Sequence, residues 1–261
     1  MLLNPNELIL LCLGFFSIAL LYSSVGFGGG SSYLAILTLV FSSFFDIRTT
    51  ALLCNLVVVS GSCYLYYKRG YMDFKKFIPF IVTSIPLAFL GASFRLKENI
   101  FFIILGVALI ISALALVLQT INLPTQEEIK KKYPPYLTYL LGGGIGLLSG
   151  MVGIGGGIFL APVLNHMKWE KSIKIAALAS FFILVNSVSG IAGLISNGTF
   201  QMPLWEGLAL LGSVLIGGQL GIRISLSKLT GKGIKLTTAT LVFMVGVRVL
   251  MVNGLQISIL Q

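Results

Sequence analysis

The chain has 261 residues, of which 56% are hydrophobic and only 10% charged, with mean hydropathy +0.99 and a formal net charge of +10. A soluble domain of this size carries about 25% charged residues. This composition therefore excludes a soluble enzyme and a nucleic-acid-binding domain; the positive charge instead reads as cytoplasmic loops facing anionic lipid.

The apolar residues fall into blocks, each near the length that crosses a hydrocarbon core about 30 Å thick. The first, 8–24, follows Glu7 with no basic segment before it, so it is expected to be a retained membrane helix and not a cleaved signal. A glycine run, Val25-Gly26-Phe27-Gly28-Gly29-Gly30, separates it from a second block at 29–45. Blocks at 49–67, 76–94 and 99–119 complete a first half, 1–122. A charged cytoplasmic linker at 123–134 follows. The second half, 135–261, has blocks at 135–151, 155–167, 173–196, 203–222 and 233–254. The predicted fold is all-α, a polytopic transmembrane bundle.

The halves are a duplication. Val152-Gly153-Ile154-Gly155-Gly156-Gly157 repeats the first glycine run, and Ile47–Leu52 resembles Ile173–Leu178, a match that pairs Arg48 with Lys174. Each half has five blocks, an odd number, so the halves are expected to be inverted in the membrane. Charge agrees: with both termini outside, the inside loops hold Lys68, Arg69, Lys75, Lys76, Lys130–Lys132, Lys168, Lys171, Lys174, Arg223, Lys228, Lys232 and Lys235. The outside loops hold only Arg48, Arg95 and Lys97. The same sidedness follows if the first two blocks of each half form a hairpin meeting at mid-membrane.

Four glycines in five residues do not hold a helix, since each costs about 1 kcal/mol relative to Ala. A break at that depth must be covered by protein or by a water-filled cavity. It exposes backbone N–H groups, and the restarting helix points its positive end at the same spot. Two such breaks, Gly26, Phe27, Gly28, Gly29, Gly30 and Ser31 in one half and Gly153, Ile154, Gly155, Gly156 and Gly157 in the other, are expected to form an anion site. The competing reading, close helix packing, fits Gly142, Gly146 and Gly150 better, because these recur every four residues.

Other polar residues have two readings each. Arg48 and Lys174 either draw an anion toward each half or snorkel at an interface; the same choice applies to Arg248 in the last block. Asn55 and Ser60, with Ser180 and Asn186, either line the path or bond neighbouring helices. Ser24, with Ser23, Ser31 and Ser32, flanks the first break. His166 ends a block, and no Asp or Glu falls mid-membrane, so no carrier of proton or sodium coupling is visible. Cys12, Cys54 and Cys63 fit no ligand pattern. No catalytic residue, metal or cofactor is expected. The expected partners are a small anionic substrate and the lipid bilayer, with a homodimer left open.

The paired glycine signatures, the second continuing as Ile158-Phe159-Leu160-Ala161-Pro162, resemble those of the TauE/SafE family. The resemblance extends over essentially the whole chain, through the small-residue helices near Leu90–Ala92 and Ile216–Gly221. The family's proline is present as Pro162, whereas Ala35 and Ile36 stand at that distance in the first half. The resemblance implies a multi-pass protein of the cytoplasmic membrane that exports sulfite, sulfoacetate or other organosulfonates. The residues themselves favour alternating access, with an anion channel or pore, or a transporter of another small anion or metabolite, as the alternatives.

Overall fold

The computed structural model describes residues 4–24, 26–38, 40–41, 43–94, 97–121, 133–227 and 232–256. Val25, Arg95, Lys228 and nearly all of the linker lie outside them. The described chain is all helical: α1 (Pro5–Ser24), α2 (Gly30–Leu37), α3 (Phe44–Lys68), α4 (Phe74–Ser93), α5 (Glu98–Ile121), α6 (Pro135–Val152), α7 (Gly157–His166), α8 (Ser172–Ser196), α9 (Leu204–Ser227) and α10 (Lys232–Arg248). A π-helical turn, Val249–Gly254, follows α10. Six helices, α1, α3, α4, α6, α8 and α9, are apolar over at least 18 residues. The surface they present is greasy: Leu140, Leu204 and Trp205 are exposed. On an antiparallel or parallel bundle of this length, that surface belongs in lipid.

The helix breaks fall at both glycine runs. Gly26 and Gly29 have φ of 86° and 87°, and Gly153, Gly155 and Gly156 have φ of 80°, 85° and 82°. These left-handed values are open to glycine at no steric cost. At the first break the chain closes α1 with a Schellman turn, in which the Phe27 N–H donates to the Tyr22 carbonyl and the Gly26 N–H to that of Ser23. At the second, the Gly153 N–H donates to the Ser149 carbonyl.

The second block of each half does not span. Helix α2 has 8 residues and α7 has 10, or about 12 and 15 Å at 1.5 Å per residue. Helix α2 runs back along α1: Tyr22 Oη is 2.7 Å from Ser32 Oγ, the Phe15 and Tyr33 rings stack at 4.6 Å, and Gly14 meets Ile36. The first two segments are therefore a hairpin. Ser43 starts α3 by accepting the Asp46 N–H at 3.4 Å, so Arg48 stands within α3 and not in a loop.

The packing partners are unchanged when the halves are exchanged. α1 lies on α9 as α6 lies on α4; α3 lies on α8, and α5 on α10; α2 covers α3 as α7 covers α8. The turns after α3 and α8 also match, with Gly70 and Gly198 at φ 72° and 65° and the same pair of closing hydrogen bonds. Lys76 Nζ meets Glu170 Oε2 at 2.6 Å, which joins the α3–α4 and α7–α8 turns at one end of the bundle. At the other end, Asn197 Nδ2 donates to the Ser93 carbonyl.

Gly142, Gly146 and Gly150 place α6 directly on the backbone of α4 at Phe80, Ser84 and Ala88. Gly217 and Gly221 of α9 take the backbone of α1 at Phe16 and Leu20 in the same way. Gly150→Ala should cost about 1–3 kcal/mol through overpacking. Gly144→Ala, which meets nothing within 4 Å, should gain up to about 1 kcal/mol from helix propensity. Equilibrium unfolding in mixed micelles measures both.

Candidate functional site

The two breaks meet at mid-length of α3 and α8, the most enclosed of the six long apolar helices. Asn55, midway along α3 and fully buried, packs against Gly28 and Gly30 of the first break. Its Nδ2 donates across the halves to the Ile154 carbonyl of the second break at 2.9 Å. Ser180 of α8 does the reverse, its Oγ donating to the Gly26 carbonyl of the first break at 2.9 Å. Each half thus satisfies a carbonyl that the other half's break leaves open. Across the second break, Gly155 and Gly157 pack against Ile183, which stands midway along α8 as Asn55 does along α3.

One carbonyl of each break is matched in this way, whereas those of Phe27, Gly28, Gly153 and Gly155 have no donor among the described residues; the amides are open as well. Among the described residues, the N–H groups of Gly28, Gly29, Gly30 and Ser31 have no acceptor, nor do those of Ile154, Gly155, Gly156, Gly157 and Ile158. All these residues are buried. The surrounding side chains are also under-used. Tyr33 Oη and Asn55 Oδ1 around the first break have no hydrogen-bond partner, and neither do Ser149 Oγ and Ser187 Oγ around the second; both amide atoms of Asn186, elsewhere on α8, are also without one. A buried polar group without a partner is expensive. A concentration of them around two helix starts supplies donors of the kind that hold an oxyanion.

The named residues separate into those at the breaks and those away from them. Phe27 and Ile154, the non-glycine members of the runs, are buried. Ser24 is turned to its own helix, its Oγ donating to the Leu21 carbonyl at 2.6 Å. Arg48 is buried, its stem covers Gly153, and its Nη2 donates to the Gly150 carbonyl. It therefore caps the last turn of α6 just before the second break, with a charge of the sign a helix C-terminus favours. Ala176, not Lys174, takes the corresponding position over Gly26. The sequence match is shifted by two residues here. Lys174 is half-buried in the first turn of α8, and its ammonium has no hydrogen bond or ion pair among the described residues. Arg248 and His166 are exposed at the ends of α10 and α7.

Tyr33, Ser149 and Ser187 had no signal in the linear sequence. Ser149 becomes adjacent to Gly156 once α7 restarts beside α6, and Ser187 to Gly155 through α8. The stacking of Tyr33 on Phe15 depends on α2 turning back.

Comparison with known proteins agrees with this architecture. The chain matches the family described as Sulfite exporter TauE/SafE over residues 10–249. It is also 31% identical over 249 residues to the Probable membrane transporter protein y4hK of Sinorhizobium fredii, covering 94% of this chain and 99% of that protein. No solved structure matches the chain. A multi-pass membrane transporter is the class that the apolar helices and these similarities define. The chain belongs to the sulfite exporter TauE/SafE family.

The cross-half bond from Ser180 gives a test of the packing at the breaks. Ser180→Ala leaves the Gly26 carbonyl buried without a donor and should cost about 1–3 kcal/mol. Ser213→Ala removes only a bond to the Ala209 carbonyl within α9 and should stay within about 0.5 kcal/mol. The unfolding midpoints of the two variants measure the difference.

Proposed function

We propose that the protein is a secondary transporter that exports small sulfur-containing anions, such as sulfite, sulfoacetate or another organosulfonate, across the cytoplasmic membrane by alternating access. The observation that carries this reading is the meeting of two glycine breaks, with acceptor-free N–H groups, at mid-length of the two most enclosed long helices. Backbone N–H groups and the starts of α2 and α7 hold negative charge without a fixed cation, so the ligand is bound but not trapped. The sulfur comes from the family.

Inverted repeats supply the mechanism. A hairpin followed by three crossing helices carries the chain from one face to the other, so the halves are oppositely oriented and the termini lie outside. The basic turns bearing Lys68, Arg69, Lys75 and Lys168 then face the cytoplasm. The exchange-invariant packing and the end-to-end grouping of the turns support this. Two inverted halves that swap roles would give two near-equivalent states, one open to each face. The complete burial of both breaks favours a carrier over an open pore.

Counterflow into proteoliposomes tests the reading. Radiolabelled sulfite or a labelled sulfonate should accumulate transiently against an unlabelled internal pool and saturate with concentration. Ohmic conductance without counterflow would favour a pore, and the lack of saturable flux for every sulfur oxyanion would overturn the proposal. Gly155→Ala, which combines φ of 85° with a collision at Ile183, should cost about 1–2 kcal/mol of local backbone strain and abolish flux. Gly198→Ala, also left-handed but with nothing within 4 Å, should retain it.

A further inference from the structure

The first break is covered by a polar group and the second by an aliphatic one. Asn55 occupies the place over Gly28 and Gly30 that Ile183 occupies over Gly155 and Gly157. Any Cβ at Gly28 or Gly30 would collide with the Asn55 carboxamide, so this side chain fills the hollow that the missing side chains leave. Within that hollow its two atoms have unequal roles. Nδ2 is tethered to the Ile154 carbonyl, whereas Oδ1 is buried without a donor, although the neighbouring N–H groups of Gly28–Ser31 have no acceptor. An acceptor and several donors are thus confined together without bonding.

We propose that the Asn55 carboxamide is a displaceable plug of the first break: it occupies the space an oxyanion needs, and the anion reaches the N–H groups of Gly28–Ser31 only by pushing it aside. The inference rests on the reading of the breaks as an anion site. Several features fit a plug better than a ligand-binding donor. One of the two amide hydrogens of Asn55 is already committed to Ile154. The free atom is a carbonyl oxygen, which repels an anion but resembles one of its oxygens in size and polarity. Displacement costs the single Nδ2 bond to Ile154, because Oδ1 gives up no hydrogen bond when it leaves. Displacement also has a consequence beyond the first break. Moving the amide releases the Ile154 carbonyl, so occupancy of the first break loosens the second. Ile183 carries no polar atom that an anion could replace, and the polar side chains beside the second break are the hydroxyls of Ser149 and Ser187, so this form of plug belongs to the first break alone.

A residue that plugs a site lowers apparent affinity by the fraction of molecules in which the site is blocked. Truncating it therefore tightens binding, whereas truncating a ligand-binding donor weakens it. The experiment is isothermal titration of the full-length protein in detergent with sulfite and with methanesulfonate, for the wild type, Asn55→Ala and Asn55→Ser, with KM from counterflow alongside. Thermal unfolding identifies which variants are folded, and Asn55→Ser decides the matter if Asn55→Ala is not. The expected result is a Kd lowered by roughly three- to tenfold, with KM falling in parallel and turnover reduced, because the released link to Ile154 no longer reports occupancy. Weaker or unchanged binding in the folded variants overturns the plug and leaves the transporter reading intact. Absence of saturable anion binding to the wild type removes that reading, and the plug with it.

Discussion

A helix interrupted inside a bilayer has backbone groups that water cannot reach, and the protein must provide for them. That constraint organises this molecule. Two interruptions are specified by glycine-rich runs, and each half leaves a carbonyl of its own break for the other half to satisfy. The Gly26 carbonyl receives its donor from Ser180, the Ile154 carbonyl from Asn55, and the last turn of α6 from Arg48. Each of these bonds crosses between halves. The halves are therefore held together where each is weakest, at the centre of the bundle, while the small-residue contacts of α1 with α9 and α4 with α6 secure the flanks.

This division of labour gives the site its chemical character. One carbonyl of each break receives its donor from the partner half, and the amide hydrogens at both helix starts are left over. Those amides and the neighbouring hydroxyls, placed at two helix N-termini, are donors suited to a negative solute. An apolar exterior and a short, enclosed pair of helices, α2 and α7, keep this polar centre away from lipid. The unpartnered groups also carry a cost, because buried polar atoms without partners favour any rearrangement or ligand that satisfies them. A carrier benefits from such an arrangement, since a deeply satisfied site would hold its cargo in one state.

Much of this was legible in the sequence, for identifiable reasons. Helix breaks at Gly26–Gly30 and Gly153–Gly157 follow from the poor helix propensity of consecutive glycines, and no packing context rescues a helix there. Packing by Gly142, Gly146 and Gly150 was legible from their spacing of four. The family was legible because its signature occurs twice. The short length of α2 was not legible, because the apolar run 29–45 has the composition of a span and hydropathy does not reveal a turn within it. The structure starts α3 ahead of the block expected at 49–67, where Ser43 accepts the Asp46 N–H, and hydropathy did not mark that start. Reading that cap places Arg48 inside the helix. The pairing of Arg48 with Lys174 failed because a match of residue types tolerates a shift of two positions that helix packing does not. Cross-half contacts such as Ser180 with Gly26 could not be read at all, since they depend on how the halves dock.

The most direct measurement is the position of a bound oxyanion carrying its own X-ray signal. Crystals grown with selenite, diffracted at the selenium edge, should show an anomalous peak between the breaks, within hydrogen-bond distance of the N–H groups of Gly28–Ser31. A selenium position confined to the basic turns at one end of the bundle, with the breaks unchanged from their empty arrangement, would contradict the account.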